Sequence, residues 1–164
     1  MNSEFSVCKE DNKIEIKKNL ILFVCTGNTC RSPMCAALFN DRFAGMTNHA
    51  VSAGLAADSS PISANAIFAL EDFGIRSTPA NDYKSHVSHS VTESDLERAD
   101  EVICVSSSHM MALIMRYPGF ASKITSLPFA ISDPYGGSIE EYKKCLSDIS
   151  SALSEMFTGS GNGL

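Results

Sequence analysis

The stretch Leu20–Ala37, LILFVCTGNTCRSPMCAA, decides how this chain folds. Leu20 to Val24 is an apolar, partly β-branched run, the pattern of a strand covered on both faces. Ser32-Pro33 reads as a helix start, with Ser32 as N-cap and Pro33 in the first helical position. Met34, Ala37 and Leu38 follow at i, i+3, i+4 spacing, so one helical face can pack on a sheet. Between strand and helix lies the tight loop Cys25-Thr26-Gly27-Asn28-Thr29-Cys30, whose Gly27-Asn28 pair tolerates positive φ.

Such a loop can curl until successive N–H groups point inward, a nest completed by the helix N-terminus. A dianionic phosphoryl group fits that nest, and so does a thiolate. In general a helix start and a nearby cation favour the thiolate form of a cysteine. Arg31 supplies the cation, and its planar fork can grip two phosphoryl oxygens bidentately. Ser32 is near enough in sequence to give the Cys25 sulfur a hydroxyl hydrogen bond. Cys25, Arg31 and Ser32 together point to nucleophilic chemistry on a phosphate ester or phosphoramidate. The loop has no Lys after its Gly and no dinucleotide fingerprint, which excludes the common nucleotide-binding motifs.

Working outward, strand-like segments alternate with helical ones. His49–Ser52 reads as a second strand closed by Ala53-Gly54, and Ile62, Ala66, Ala69, Leu70 and Phe73 mark a helix stopped by Gly74. Thr92-Glu93-Ser94-Asp95 resembles a capping box opening a short helix. Glu101–Val105 is a third strand, followed by a helix carrying Met110, Leu113, Ile114 and Tyr117. Lys123–Leu127 is a fourth, and Tyr142, Leu146, Ile149, Leu153 and Met156 line a final helix. The alternation predicts one α/β domain over residues 20–157, a four-stranded parallel sheet with helices on both faces. Its ligand crevice belongs at the carboxyl end of strand one, beside Cys25.

The chain has 164 residues and a net charge of −6, which argues against a nucleic-acid-binding surface. No stretch approaches the ~18 apolar residues of a membrane span. Residues 1–19 read as a loosely ordered extension, with an edge strand at Ile14 and Ile16 as the other reading, and residues 158–164 as a flexible tail. Lys9, Glu10, Asp11 and Lys13 interrupt any signal-peptide core, so a cytoplasmic location with reduced thiols is expected. Six cysteines show no zinc spacing, and neither a metal nor another cofactor is expected. Cys30 is placed either to form a reversible disulfide with Cys25 after oxidation or simply to fill the loop. His49, His89 and His109 read as solvent-facing.

Cys25, five residues, Arg31 and Ser32, joined to Asp133-Pro134-Tyr135-Gly136-Gly137 far downstream, resemble the low-molecular-weight protein phosphatase family from about Leu20 to Met156. The resemblance implies a flavodoxin-like fold and two displacements through a cysteinyl-phosphate. Cys25 would be the nucleophile and Arg31 the phosphoryl grip. Asp133 would be the acid that protonates the leaving group and then activates water. Thr26, Gly27, Asn28, Thr29, Cys30 and Ser32 form the phosphate-binding loop. Asn28, Ser32, Ser52 and His86 align with the network that holds this loop, ordinary buried polar groups being the other reading for Ser52 and His86. The substrates implied are phosphorylated proteins, with inorganic phosphate as product.

Within the family, Cys-Thr-Gly-Asn-Thr-Cys-Arg-Ser-Pro-Met resembles the bacterial protein-arginine phosphatase branch, where threonine at the position of Thr29 favours phosphoarginine. Tyrosine-directed members commonly carry an aliphatic residue there and an aromatic in the loop after strand two. Here Leu55–Ser60 offers no aromatic, and Asp58 is available to pair with a guanidinium. Tyr135 stands where the branch usually has Phe, and Cys35-Ala36 replaces its Ala-Glu. A tyrosine phosphatase remains the alternative. Arsenate reductases share the loop but need a further close cysteine pair, which Cys104 lacks. A module that only binds phosphoproteins is expected to lack Cys25, Arg31 or Asp133, and all three are present.

Overall fold

The computed structural model describes residues 19–158. The expected extension and tail, and the edge strand at Ile14 and Ile16, lie outside these residues, except that Asn19 already opens the first strand and Thr158 closes the last helix. That strand, β1 (Asn19–Cys25), pairs in parallel on both sides, with β2 (Asn48–Gly54) and with β3 (Glu101–Cys104). β3 in turn pairs in parallel with β4 (Ile124–Ser126), so the strand order is β2-β1-β3-β4.

The central position of β1 explains its continuous apolar run. Ile21, Phe23 and Cys25 face a cluster formed with α1 (Arg31–Arg42), α2 (Ala64–Asp72) and α5 (Ile139–Phe157), including Phe39, Leu70 and Leu146. Leu22 and Val24 face the opposite cluster, with α3 (Glu93–Arg98) and α4 (Ser107–Arg116) contributing Leu96 and Leu113. Alternate side chains thus feed two cores, and a polar residue at any of these five positions would be buried. β2 is an edge strand, and its Val51 is correspondingly exposed.

Several boundaries differ from expectation for identifiable reasons. α1 starts at Arg31, with Cys30 at its cap and no side-chain cap bond, because the Ser32 hydroxyl is engaged elsewhere. Pro33 therefore sits inside the first turn, where its missing N–H still has no helical partner to lose. α1 stops at Arg42, before Gly45 in the left-handed region at φ 56°. Ile62 belongs to the core cluster but precedes α2, and β4 is shortened to three residues because Lys123 ends a 3-10 turn (Pro118–Lys123). The expected capping box is formed: the Asp95 N–H donates to Thr92 Oγ1 at 3.2 Å and the Thr92 N–H to Asp95 Oδ2 at 2.9 Å. Cys35 and Ala36, which depart from the branch, both lie buried in the core rather than on a helix surface.

Candidate active site

β1 ends at Cys25 in register with Gly54 of β2, and the chain leaves the sheet where neighbouring connections diverge to opposite faces. This is the crevice position of an open α/β sheet. Gly54 is required there, since a Cβ would lie 2.5 Å from the Thr26 carbonyl oxygen and 3.0 Å from the Asn28 Cβ.

The loop turns once through the left-handed region, at Asn28 with φ 58°; Gly27, expected to share that role, does not adopt it. The loop carbonyls are tied from outside. Those of Cys25, Thr26, Thr29 and Cys30 accept from the N–H groups of Leu55, Ala56, Ser63 and Met34, and that of Asn28 meets His86 Nε2 at 2.9 Å. All peptides among the described residues are trans, so each outward carbonyl leaves the next N–H directed the other way. The N–H groups of Thr26, Gly27, Thr29, Cys30 and Arg31 are thereby left available to an anion in the cleft these residues line.

Asn28 is fully buried and organises the loop. Its Nδ2 donates to Ser32 Oγ (2.9 Å) and Ser52 Oγ (3.0 Å), its Oδ1 accepts from the His89 N–H (3.1 Å), and its own N–H points at Cys25 Sγ (3.3 Å). Ser32 Oγ lies 2.9 Å from the same sulfur. Burial pushes the His86 imidazole below its ordinary pKa of 6.5, its bond to Asn28 offsetting part of the shift. Arg31 is 8% exposed; Nη1 donates to the Ile131 carbonyl, and Nη2 lies 3.3 Å from Asp133 Oδ2. Asp133 is half exposed, and its Oδ1 accepts the Tyr135 N–H at 3.1 Å.

Cys25, the loop, Arg31, Asp133, Asp58 and Tyr135 all border one cleft of about 650 Å³. Ser52 and His86 support the loop from behind it. Among the described residues no group of His, Cys, Asp and Glu is arranged to hold a metal, and no helix is long and apolar enough to cross a membrane.

Two supporting residues escaped the sequence reading. His109, expected to face solvent, is buried, with Nε2 2.8 Å from Thr26 Oγ1 and Nδ1 2.5 Å from Ser106 Oγ. The available signal was its position three residues after the N-cap that follows β3, at the sheet's crevice end. His89 is half exposed beside Asp95, and His49 is half buried. Tyr142, read only as core, places its hydroxyl 3.2 Å from Cys30 Sγ and accepts from Ser63 Oγ at 3.0 Å. Burial first, then the contact with Cys30, push its phenol up to about 12.

The profile of the family described as low molecular weight phosphotyrosine protein phosphatase matches residues 20–160. The chain belongs to that family. It is similar to the protein-arginine-phosphatase of Geobacillus stearothermophilus, 33% identical over 145 residues that cover 83% of this chain and 92% of that one. The low molecular weight protein tyrosine phosphatase of T. tengcongensis superposes with a TM-score of 0.76 at 35% identity, over 87% of this chain and 99% of that one. YwlE arginine phosphatase in a Cys-to-Ser form with a phosphorylated active-site serine superposes at 0.75 and 30% identity, over 85% and 94% of the two chains. The chain is therefore a cysteine-based hydrolase of phosphorylated proteins that releases phosphate, on a four-stranded parallel sheet of the family's fold.

Proposed function

We propose that this phosphatase acts on phosphoarginine in proteins, with Cys25 as nucleophile, Arg31 as phosphoryl grip and Asp133 as acid and base. The Cys25 sulfur attacks phosphorus as the P–N bond breaks, and the electron pair leaves on the guanidine nitrogen, which takes the Asp133 proton. Water then attacks the phospho-cysteine, its proton passes to Asp133, and the S–P bond breaks to return the thiolate and release phosphate. Arg31 and the inward N–H groups stabilise the equatorial oxygens in both displacements. The relative with a phosphorylated serine in place of its cysteine supports a covalent intermediate on Cys25, the residue that ends β1.

The observation that carries the substrate class is a cleft lined by both Thr29 and Asp58, with no aromatic from residues 55–60. A polar hydroxyl and a carboxylate suit the N–H-rich guanidine. Asp58 accepts from Ser60 Oγ at 2.6 Å, which holds it in place. Tyr135, 75% exposed at the cleft, favours the second reading, since it also offers a face to a phenol ring. The free thiols of Cys25, Cys30, Cys35, Cys104 and Cys145 support a cytoplasmic location.

Measuring kcat/KM on phosphoarginine and phosphotyrosine peptides side by side, for wild type and Thr29→Ile, tests the reading. Wild type is expected to prefer phosphoarginine, and Thr29→Ile to lose that activity while keeping or gaining activity on phosphotyrosine. Equal losses on both would reduce Thr29 to loop structure and leave the tyrosine phosphatase as the reading to hold.

A further inference from the structure

The carbonyl of Thr26 is fixed from the β2 side by Ala56, while its side chain is fixed from the opposite side of the sheet. β3 ends beside β1, with the Val105 N–H donating to the Val24 carbonyl at 2.9 Å, so α4 begins next to the loop. Its N-cap Ser106 accepts the His109 N–H at 3.3 Å, and His109 reaches back to Thr26. For a helix-capping role alone the Nδ1 contact would suffice; the second ring nitrogen is spent on the residue after the nucleophile.

The proton count sets the direction of this chain. Burial first, then Arg31, lower the His109 pKa, with Asp133 opposing, so the ring is neutral and carries one N–H. Ser106 Oγ accepts the His109 backbone N–H and lies 2.8 Å from Ser108 Oγ. With Ser108 as the donor in that contact, the arrangement on which the proposal rests, both lone pairs are used and the Ser106 proton goes to Nδ1. Nε2 then holds the N–H and donates to Thr26 Oγ1, which leaves the Thr26 hydroxyl proton for the cleft it borders.

We propose that His109 is a positioning residue for the phosphoryl group: through Nε2–H it aims the Thr26 hydroxyl, and the Thr26 N–H beside it, at the phosphoryl oxygens over Cys25. This rests on residues 25–31 being the phosphoryl site, but not on which phosphorylated residue is the substrate. It makes α4, on the far face of the sheet, a contributor to phosphate binding.

The test uses the whole chain, p-nitrophenyl phosphate as substrate and inorganic phosphate as competitive inhibitor. His109→Ala is expected to lower kcat/KM and weaken phosphate inhibition, each by about three- to tenfold, the worth of one hydrogen bond. Thr26→Val should match it, and the Thr26→Val/His109→Ala double variant should be no worse than either alone. His109→Gln, whose amide nitrogen reaches the Nε2 position, should return within about twofold of wild type. Unchanged kinetics in His109→Ala, a silent Thr26→Val, multiplied losses in the double variant, or failure of Gln to rescue would each overturn the proposal. If His109→Ala does not fold, Thr26→Val and His109→Gln still decide it. A wild type that neither turns over the ester nor binds phosphate would remove the phosphoryl-site reading itself, whereas an active wild type with unaltered variants removes only the role of His109.

Discussion

Replacing Asn28 by alanine should cost the fold as much as the chemistry. The change removes donors to two buried hydroxyls, Ser32 and Ser52, and the acceptor for the His89 N–H. A buried polar group left without its partner costs about 1–3 kcal/mol, and the hydroxyls, which keep other options, fall at the low end. Holding alanine at φ 58° adds roughly 1 kcal/mol over asparagine, which tolerates that region. Together these reach about 4–6 kcal/mol, a large share of the roughly 5–15 kcal/mol that stabilises a domain. Asn28→Gly loses the same bonds without the backbone strain and should be about 1 kcal/mol more stable than Asn28→Ala. Urea unfolding followed by circular dichroism measures both, and p-nitrophenyl phosphate turnover under native conditions reports the site. Asn28→Ala within about 1 kcal/mol of wild type, or no difference between Ala and Gly, would show that the loop is held by other means.

Cys25→Ser should abolish turnover with the fold retained, and mass spectrometry after incubation with substrate checks for a trapped phosphoserine; substantial steady-state hydrolysis would sink the covalent mechanism. Arg31→Lys should be nearly inactive by the same turnover assay, because a point charge cannot hold both the Ile131 carbonyl and two phosphoryl oxygens. Asp133→Asn should lower kcat/KM more on phosphoarginine than on p-nitrophenyl phosphate, by roughly 10²–10⁴, since the guanidine leaves only when protonated; equal losses would deny Asp133 that role. Peroxide should inactivate the enzyme reversibly, and Cys30→Ser should recover less fully on adding thiol; full recovery would remove Cys30 from the protection. His86 and His109 both have lowered pKa values in the fold, so the unfolded chain takes up protons first as pH falls. Stability is therefore full above the unfolded value of about 6.5 and is lost as pH falls through it toward the folded values, and the urea midpoint of His86→Gln/His109→Gln should vary less over that range; a midpoint that rises on acidification would refute the sign.

What could be read from the chain was what depends on near neighbours. Leu20–Val24 announced a doubly covered strand because both of its faces are apolar, and Thr92 with Asp95 form a capping box within a single turn. The spacing of Cys25 and Arg31 was legible because loop and helix start are contiguous. Ser32 was misplaced as a cap because its hydroxyl is claimed by Cys25 and by Asn28, whose curl sets the geometry. His109 and Tyr142 were missed because their partners lie 83 and 112 residues away, across strand pairings that no local pattern encodes. Asp133 was placed only by its resemblance to a family motif; alone, Asp-Pro in a loop is a turn.

The order of the loop's ties along the chain bears on synthesis at the ribosome. Cys25 and Arg31 emerge early, but the groups that hold the loop from Thr26 to Arg31 arrive in sequence: Ser52, then His86 and the His89 N–H, then His109, Ile131 and Asp133, and last Tyr142. β1 also waits for β3, some eighty positions later, to cover its second edge. A nascent chain therefore carries the Cys25 sulfur without the groups that hold its loop until nearly the whole domain has been translated. Chains released early, before residue 142, would present that sulfur to cellular oxidants unshielded and be unable to turn over any phosphoryl group.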